Sequence, residues 1–157
     1  MRTIVLFVLL TTWSILFQAC SEKEEFDNLS TEEKLYGTYT LVSSDIEPHF
    51  MYRGKWADSY LDLYDQPCWF DNLHVLKENG VFLYDEGPDL CPGALQTVEN
   101  KWLLSADKSK FTVDSYIYDI VTLEEDKVIY MRIFEDEFYT DRKTVTVKIT
   151  FMYQKQH

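Results

Sequence analysis

Histidine and cysteine are scarce in this chain, with three of each among 157 residues. Two cysteines and scattered histidines lack the ligand spacing of a metal site. No His-Glu-x-x-His helix, phosphate-cradling glycine loop or nucleophile elbow occurs either. Glycine and proline are nearly as rare, at 5 and 4 residues, and no repeat or low-complexity tract divides the chain. Long apolar runs are missing too. Ile4 to Phe17, interrupted by Thr11, Thr12 and Ser14, is roughly 14 residues and rises about 21 Å, short of the ~20 residues a spanning helix needs. Positive charge is also in short supply: 15 Lys and Arg stand against 27 Asp and Glu, a net charge of −12. Such a surface repels nucleic acid and anionic lipid, which excludes a nucleic-acid partner.

What is present begins with an address. Arg2 supplies a short positive segment, Ile4 to Phe17 an apolar one, and Ala19 a small residue immediately before Cys20. Cleavage directly before a cysteine resembles the lipobox of bacterial lipoproteins, with Phe17 where Leu is preferred and Gln18 where a small residue is preferred. The resemblance implies a signal peptide over residues 1–19 and an acylated Cys20 that anchors the protein in the outer membrane. Ordinary secretion with a free cysteine, or an uncleaved anchor, are the alternatives. Removing residues 1–19 takes away Arg2 and no acid, so the mature domain is more acidic still and its membrane partner is reached through lipid alone. Residues 20–30 lack apolar periodicity and read as a disordered acidic tether. Within it Lys23-Glu24-Glu25 resembles the signal that sends some lipoproteins of the Bacteroidota to the cell surface; a periplasm-facing position is the alternative.

With Cys20 carrying lipid, Cys68 and Cys91 are the remaining pair in an oxidising compartment, where disulfides persist. The stretch "NLHVLKENGVFLYDE" points the same way. Alternating residues flank Asn79-Gly80, the strongest signal for a two-residue type I′ hairpin turn. That turn sets Glu78 opposite Val81, and counting outward brings Cys68 opposite Cys91. Gly87, Pro88 and Pro92 break the ladder before the cysteines, so the count supports proximity rather than a continuous ladder.

Ahead of the strands, "LSTEEKLYG" predicts a short helix with Ser30 as N-cap, Glu33 completing a capping box and Gly37 as its stop. From there the pattern is strand throughout. Strands are expected at about 37–44, on both sides of Asn79-Gly80, at 97–105, 110–113, 116–123 and 128–134, and at 144–153, where Val145, Val147, Ile149, Phe151 and Tyr153 share one face. Eight short strands joined by polar turns predict an all-β fold over residues 31–157: an antiparallel up-and-down meander, closed into a barrel or packed as a sandwich.

"LYGTYTLVSS", then "CWFDNLHVLKENGVF", a second Cys and "NKWLLSADKSKFTV", in that order, resemble the lipocalin-like domain of small bacterial lipoproteins. Tyr39 stands where that family favours Trp, and the segment between the first two strands is long. The resemblance implies an eight-stranded up-and-down barrel with a short N-terminal helix and a long insertion; it implies no known ligand.

The insertion, "IEPHFMYRGKWADSYLDLYDQP", carries Tyr52, Trp56, Tyr60 and Tyr64 at a spacing of four. On a helix these would form one aromatic stripe, with Pro67 ending it. The segment reads as a packed cap over one barrel end, a mobile lid over a cavity, or a surface for a protein or glycan. Tyr39, Leu41, Val75, Phe82, Tyr84, Trp102, Leu104, Val147, Ile149 and Phe151 are expected inside the barrel. Tyr39, Trp56, Tyr60, Phe82, Tyr84 and Trp102 are the candidate ligand contacts, although large aromatics fill an eight-stranded barrel easily and argue against a roomy cavity. His74 would face Asp85 across the hairpin, as an exposed salt bridge or a dyad. Glu135, Asp136, Glu137 and Asp141, in the turn "FEDEFYTDRK", could offer oxygen ligands to calcium or be solvated. No catalytic residue, cofactor or metal is expected. The function expected is non-enzymatic binding of a small apolar or amphipathic ligand, with a filled barrel serving as a structural or protein-interaction subunit of the cell envelope as the alternative.

Overall fold

In a computed structural model of the protein, residues 25–63, 67–69, 71–140 and 143–156 are described. The segment read as a signal peptide, Cys20, Tyr64 and Asp141 lie outside them. Residues 25–28 form a helical turn, so the end of the expected tether is ordered. Helix α1, Thr31–Leu35, follows. The Ser30 hydroxyl accepts from the Glu33 amide at 3.2 Å, and the Glu33 carboxylate accepts from the Ser30 amide at 2.8 Å, the reciprocal pairing a capping box requires. The helix ends on Tyr36 in extended conformation, and Gly37 opens the first strand rather than stopping the helix.

Ten strands follow: β1 (Gly37–Glu47), β2 (Phe50–Tyr52), β3 (Lys55–Ala57), β4 (Leu73–Lys77), β5 (Val81–Asp85), β6 (Thr97–Leu104), β7 (Lys110–Val113), β8 (Tyr116–Leu123), β9 (Lys127–Thr140) and β10 (Lys143–Gln156). Eight of them close an antiparallel up-and-down barrel in the order β1-β10-β9-β8-β7-β6-β5-β4, and β2 and β3 make a separate hairpin. Closure rests on β1, which pairs with β10 from Thr38↔Gln156 to Glu47↔Lys148 and with β4 from Gly37↔Leu76 to Thr40↔Leu73. Register shifts in β1, β8 and β10 supply the bends a small barrel needs.

One end is plugged. Leu35 of α1 is 1% exposed, and the hydroxyl of Tyr39 donates to its carbonyl at 3.0 Å. Trp102, 1% exposed, meets Tyr36 edge to face and donates its indole N–H to the Lys77 carbonyl at 3.0 Å. The polar atom of each buried aromatic is thereby satisfied.

The β4–β5 hairpin departs from expectation by one residue. Asn79 and Gly80 both take positive φ, 63° and 71°, as expected, but Lys77 faces Val81 and Glu78 is left in the turn. Gly80 has no substitute, since a Cβ there would meet the Trp102 carbonyl oxygen at 2.8 Å. A one-residue slip turns over the facing set. Leu76, buried, faces inward opposite Phe82, whereas Val75, expected inside, pairs with Leu83 and Thr38 on the outer face. His74 faces Tyr84 and not Asp85. The ladder ends at Leu73↔Asp85, yet the Cys68–Cys91 disulfide forms beyond it with Cα atoms 5.3 Å apart, so the expected pairing holds although the count leading to it was one residue out.

The remaining expected strands are present, and β9 is longer than anticipated. It runs to Thr140 and continues past β8 as a two-stranded ribbon with β10. Glu135, Asp136 and Glu137 therefore belong to strand β9 and not to a turn; among the described residues no group of three or more acidic, His or Cys side chains is placed to hold a metal. No described helix is long and apolar enough to cross a membrane.

Trp102→Ala should lower the unfolding free energy by about 3–5 kcal/mol in urea titration, the usual cost of emptying so large a buried site. Reducing the disulfide, which closes a sequence separation of 23, should lower it by about 3 kcal/mol by releasing the unfolded chain.

Candidate functional site: an aromatic cavity in the barrel

The end opposite α1 carries the insertion, the disulfide loop and the β9–β10 ribbon. The insertion is not a helix. Arg53 and Gly54, with φ of 50° and 81°, make a tight turn between β2 and β3, and Phe50↔Ala57, Met51↔Trp56 and Tyr52↔Lys55 pair across it. Phe50 and Ala57 are buried, and Phe50 and Tyr52 pack on Phe138 of the ribbon at ring separations of 5.5 and 6.0 Å. Met51 and Trp56 face solvent, Trp56 at 65% exposure. A 3-10 turn, Tyr60–Leu63, then crosses the barrel end. The Asp62 carboxylate fixes its start by accepting from the Asp58 and Ser59 amides at 3.1 and 2.8 Å. The Ser44 hydroxyl of β1 accepts from the Tyr60 amide at 2.9 Å. These bonds lower the Tyr60 ring between Phe134 and Phe151, with centroids 6.3 and 5.1 Å away.

Beneath Tyr60 lies a cavity of about 410 Å³, within the range of small-molecule sites. Its aromatic lining is packed ring on ring, two pairs stacked and the others tilted or edge to face. Tyr130 stacks on Tyr153 at 4.9 Å and 18°, and Phe111 on Tyr118 at 5.1 Å and 17°. Tyr116, 48% exposed, stands among the lining residues and marks the rim.

Four polar side chains interrupt this lining, those of His74, Asn72, Arg132 and Asn100. His74 sits among Phe82, Tyr84 and Tyr153 at ring separations of 5.3, 5.5 and 4.7 Å, and its Nδ1 is hydrogen-bonded to the Tyr130 hydroxyl at 3.2 Å. Burial lowers its pKa from 6.5 to about 4, so the imidazole is neutral near neutral pH; burial likewise raises the phenols of Tyr130 and Tyr153. Asn72, 6% exposed, accepts from the Tyr84 hydroxyl and donates to the carbonyls of Cys68 and Glu86 at 3.1 and 2.9 Å, which ties the disulfide loop to the cavity wall. Arg132, 8% exposed, lies between the rings of Tyr116 and Phe134, each 3.8 Å from the guanidinium carbon.

Of the six residues expected to meet a ligand, Tyr60, Phe82 and Tyr84 line this cavity. Tyr39 and Trp102 belong to the plugged end, and Trp56 lies outside on the hairpin. Sequence reasoning missed His74 because "LHVLK" offers two phases, and Leu73 and Val75 make the more apolar one. It also missed Tyr118, Tyr130 and Arg132, although Val128, Tyr130, Arg132 and Phe134 share one face of β9 and the first, second and last of them are apolar or aromatic. Asp85, the partner once expected for His74, instead accepts from the Gly87 amide, Gln96 and Thr97.

No family model matches the chain, and no curated protein matches it closely enough to argue from.

The depressed pKa of His74 makes stability depend on pH. Above pH 6.5 the ring is neutral folded and unfolded; as pH falls from 6.5 towards 4 the unfolded chain takes up the proton first, and stability is lost. At about 1.36 kcal/mol per unit, a depression from 6.5 to about 4 is worth about 3 kcal/mol. Urea titrations across this window should show His74→Gln losing about that much less stability than the wild type.

Proposed function

We propose that this chain is a lipid-anchored outer-membrane protein, exposed at the cell surface, whose lipocalin-like barrel binds a small apolar or amphipathic ligand without catalysis. The observation that carries the reading is the cavity of about 410 Å³ walled by stacked aromatics. A barrel plugged at one end and roofed by Tyr60 at the other has the form of a container: ring faces supply apolar area, and a few fixed polar groups orient what enters. Asn72 and the disulfide it adjoins hold the rim, so the site is largely formed before a ligand arrives and little ordering cost falls on binding.

Two features favour binding over chemistry. His74 is the one imidazole in the cavity among the described residues, and its Nδ1 is occupied by Tyr130 rather than by a carboxylate that could make it a strong base. The acidic Asp85 is engaged elsewhere. The anchor rests on the sequence: acyl chains on Cys20 bind a bilayer without help from the acidic domain, and Lys23-Glu24-Glu25 supports the outward-facing position.

A second reading has its own support. Leu103, Ile117, Val121 and Ile133 are 70%, 55%, 57% and 52% exposed on the outer faces of β6, β8 and β9, and such apolar surface suits a subunit of an envelope assembly.

The test is to purify the protein gently, compare its native and denatured masses, and titrate it with the fluorescent apolar probe anilinonaphthalene sulfonate. Excess native mass that disappears on denaturation, or saturable probe binding abolished by Leu41→Trp with the melting temperature kept, is the expected result. Leu41 lines the cavity, and an indole there would fill it. A bare native mass together with probe binding indifferent to Leu41→Trp would contradict ligand binding inside the barrel.

A further inference from the structure

The cavity has a floor, and the floor has a polar atom in need of a partner. His74, Leu76, Phe111, Tyr130 and Tyr153 line both the cavity and a space of about 10 Å³ that reaches Leu35 and Tyr39 of the plugged end. A space of that size is at the threshold for one water and too small for any part of a larger molecule. Whatever enters the barrel therefore stops at these five side chains.

His74 is fixed there by one of its two nitrogens. Nδ1 is bonded to the Tyr130 hydroxyl at 3.2 Å, and that hydroxyl is bonded in turn to Tyr153. Among the described residues Nε2 has no hydrogen-bonding partner. His74 is half-buried and its ring lies inward among Phe82, Tyr84 and Tyr153, so the surface it keeps is turned to the cavity it lines. A ring nitrogen left unpaired among aromatic walls costs free energy that a bound partner recovers. The bond at Nδ1 fixes the ring beforehand, so little ordering is needed when that partner arrives.

The chemistry of the partner follows from the same bonds. Tyr130 has one proton to share between His74 and Tyr153, so Nε2 is an acceptor in one proton arrangement and a donor in the other. A hydroxyl satisfies both, because it donates and accepts; an ether or a carbonyl satisfies only one. Burial keeps the imidazole neutral near neutral pH, and the rest of the floor is apolar or phenolic. An ionised head would lose its hydration there without a counter-charge.

We propose that the ligand is an uncharged phenol or alcohol that enters hydroxyl first, its head bonded to Nε2 of His74 and its apolar body lying between Phe82 and Phe151 towards Tyr60. This rests on the ligand-binding reading above and names the class of molecule that site takes. The arrangement sets a direction: hydroxyl at the floor, body towards the roof. It also extends one chain of hydrogen bonds from the ligand through His74 and Tyr130 to Tyr153, in which each member polarises the next.

The experiment is calorimetric titration with 2-naphthol, uncharged at neutral pH, and with naphthalene, the same body without the hydroxyl. The wild type should bind 2-naphthol about tenfold more tightly, the worth of one hydrogen bond to a group otherwise unpaired. His74→Phe, which keeps a ring in the cluster, should bring 2-naphthol to the affinity of naphthalene, and His74→Gln should keep part of the preference. In the nitrogen-15 spectrum of the wild type, which needs no variant to fold, the Nε2 resonance of His74 should move with 2-naphthol far more than with naphthalene. Equal affinity for the two probes in the wild type, or an Nε2 resonance indifferent to 2-naphthol, would overturn the hydroxyl assignment and leave the cavity reading standing. A preference undiminished in folded His74→Phe would overturn the role of His74. Absence of binding by both probes would overturn this inference and the ligand-binding reading together.

Discussion

The interior of this protein depends on β1 hydrogen-bonding along both of its edges. Pairing with β10 on one side and β4 on the other removes the last open edge of the sheet. Once the sheet is a cylinder, alternation along each strand decides what is inside, and every second residue of eight strands must share one lumen. The aromatic content, 16% of the chain, then becomes a packing problem. Phe111 stacks on Tyr118 and Tyr130 on Tyr153, and a cavity of about 410 Å³ remains among the rings. The plugged end adds rigidity: Tyr39 donates to the Leu35 carbonyl of α1 and Trp102 to the Lys77 carbonyl, in a region where only about 10 Å³ is open.

Much of the fold was legible because the strands announce themselves. β10 alternates over its whole length, and "YIYDIVTL" is bounded by turns that coincide with the ends of β8. What failed did so for identifiable reasons. The hairpin turn of β4–β5 was located by Asn79-Gly80, but a turn signal does not say whether the preceding residue pairs, and Glu78 does not. That one residue moved Val75 outward and brought His74 in. The insertion was misjudged because a spacing of four fits a helix, while Tyr52 and Trp56 in fact stand on opposite strands of a hairpin whose turn, Arg53-Gly54, was visible as a glycine flanked by alternating residues. The cavity was illegible altogether. Its existence depends on ring orientation, and sequence patterns carry no information about rotamers.

Charge organises the proposed function as strongly as shape does. An acidic exterior keeps the domain off anionic lipid, which suits a protein whose attachment would come from acyl chains at residue 20 and not from its own surface. The same exterior sharpens the contrast with the lumen, where burial holds the imidazole of His74 neutral and Arg132 packs against the rings of Tyr116 and Phe134. The disulfide and Asn72 act on this site indirectly. They fix the loop after the insertion to the wall beside Tyr84, so the rim keeps its shape when empty. The exposed row of Leu103, Ile117, Val121 and Ile133 lies on the opposite surface of the same strands, and a partner there would leave the lumen untouched.

Inside and outside therefore offer two distinguishable places for function, and heteronuclear NMR with anilinonaphthalene sulfonate titrated into the labelled protein separates them. The account predicts saturable shifts at inward-facing Tyr60, Phe82, Tyr118 and Arg132, with Leu103, Ile117 and Val121 unmoved. Shifts confined to the outer residues, with the lumen silent, would contradict it.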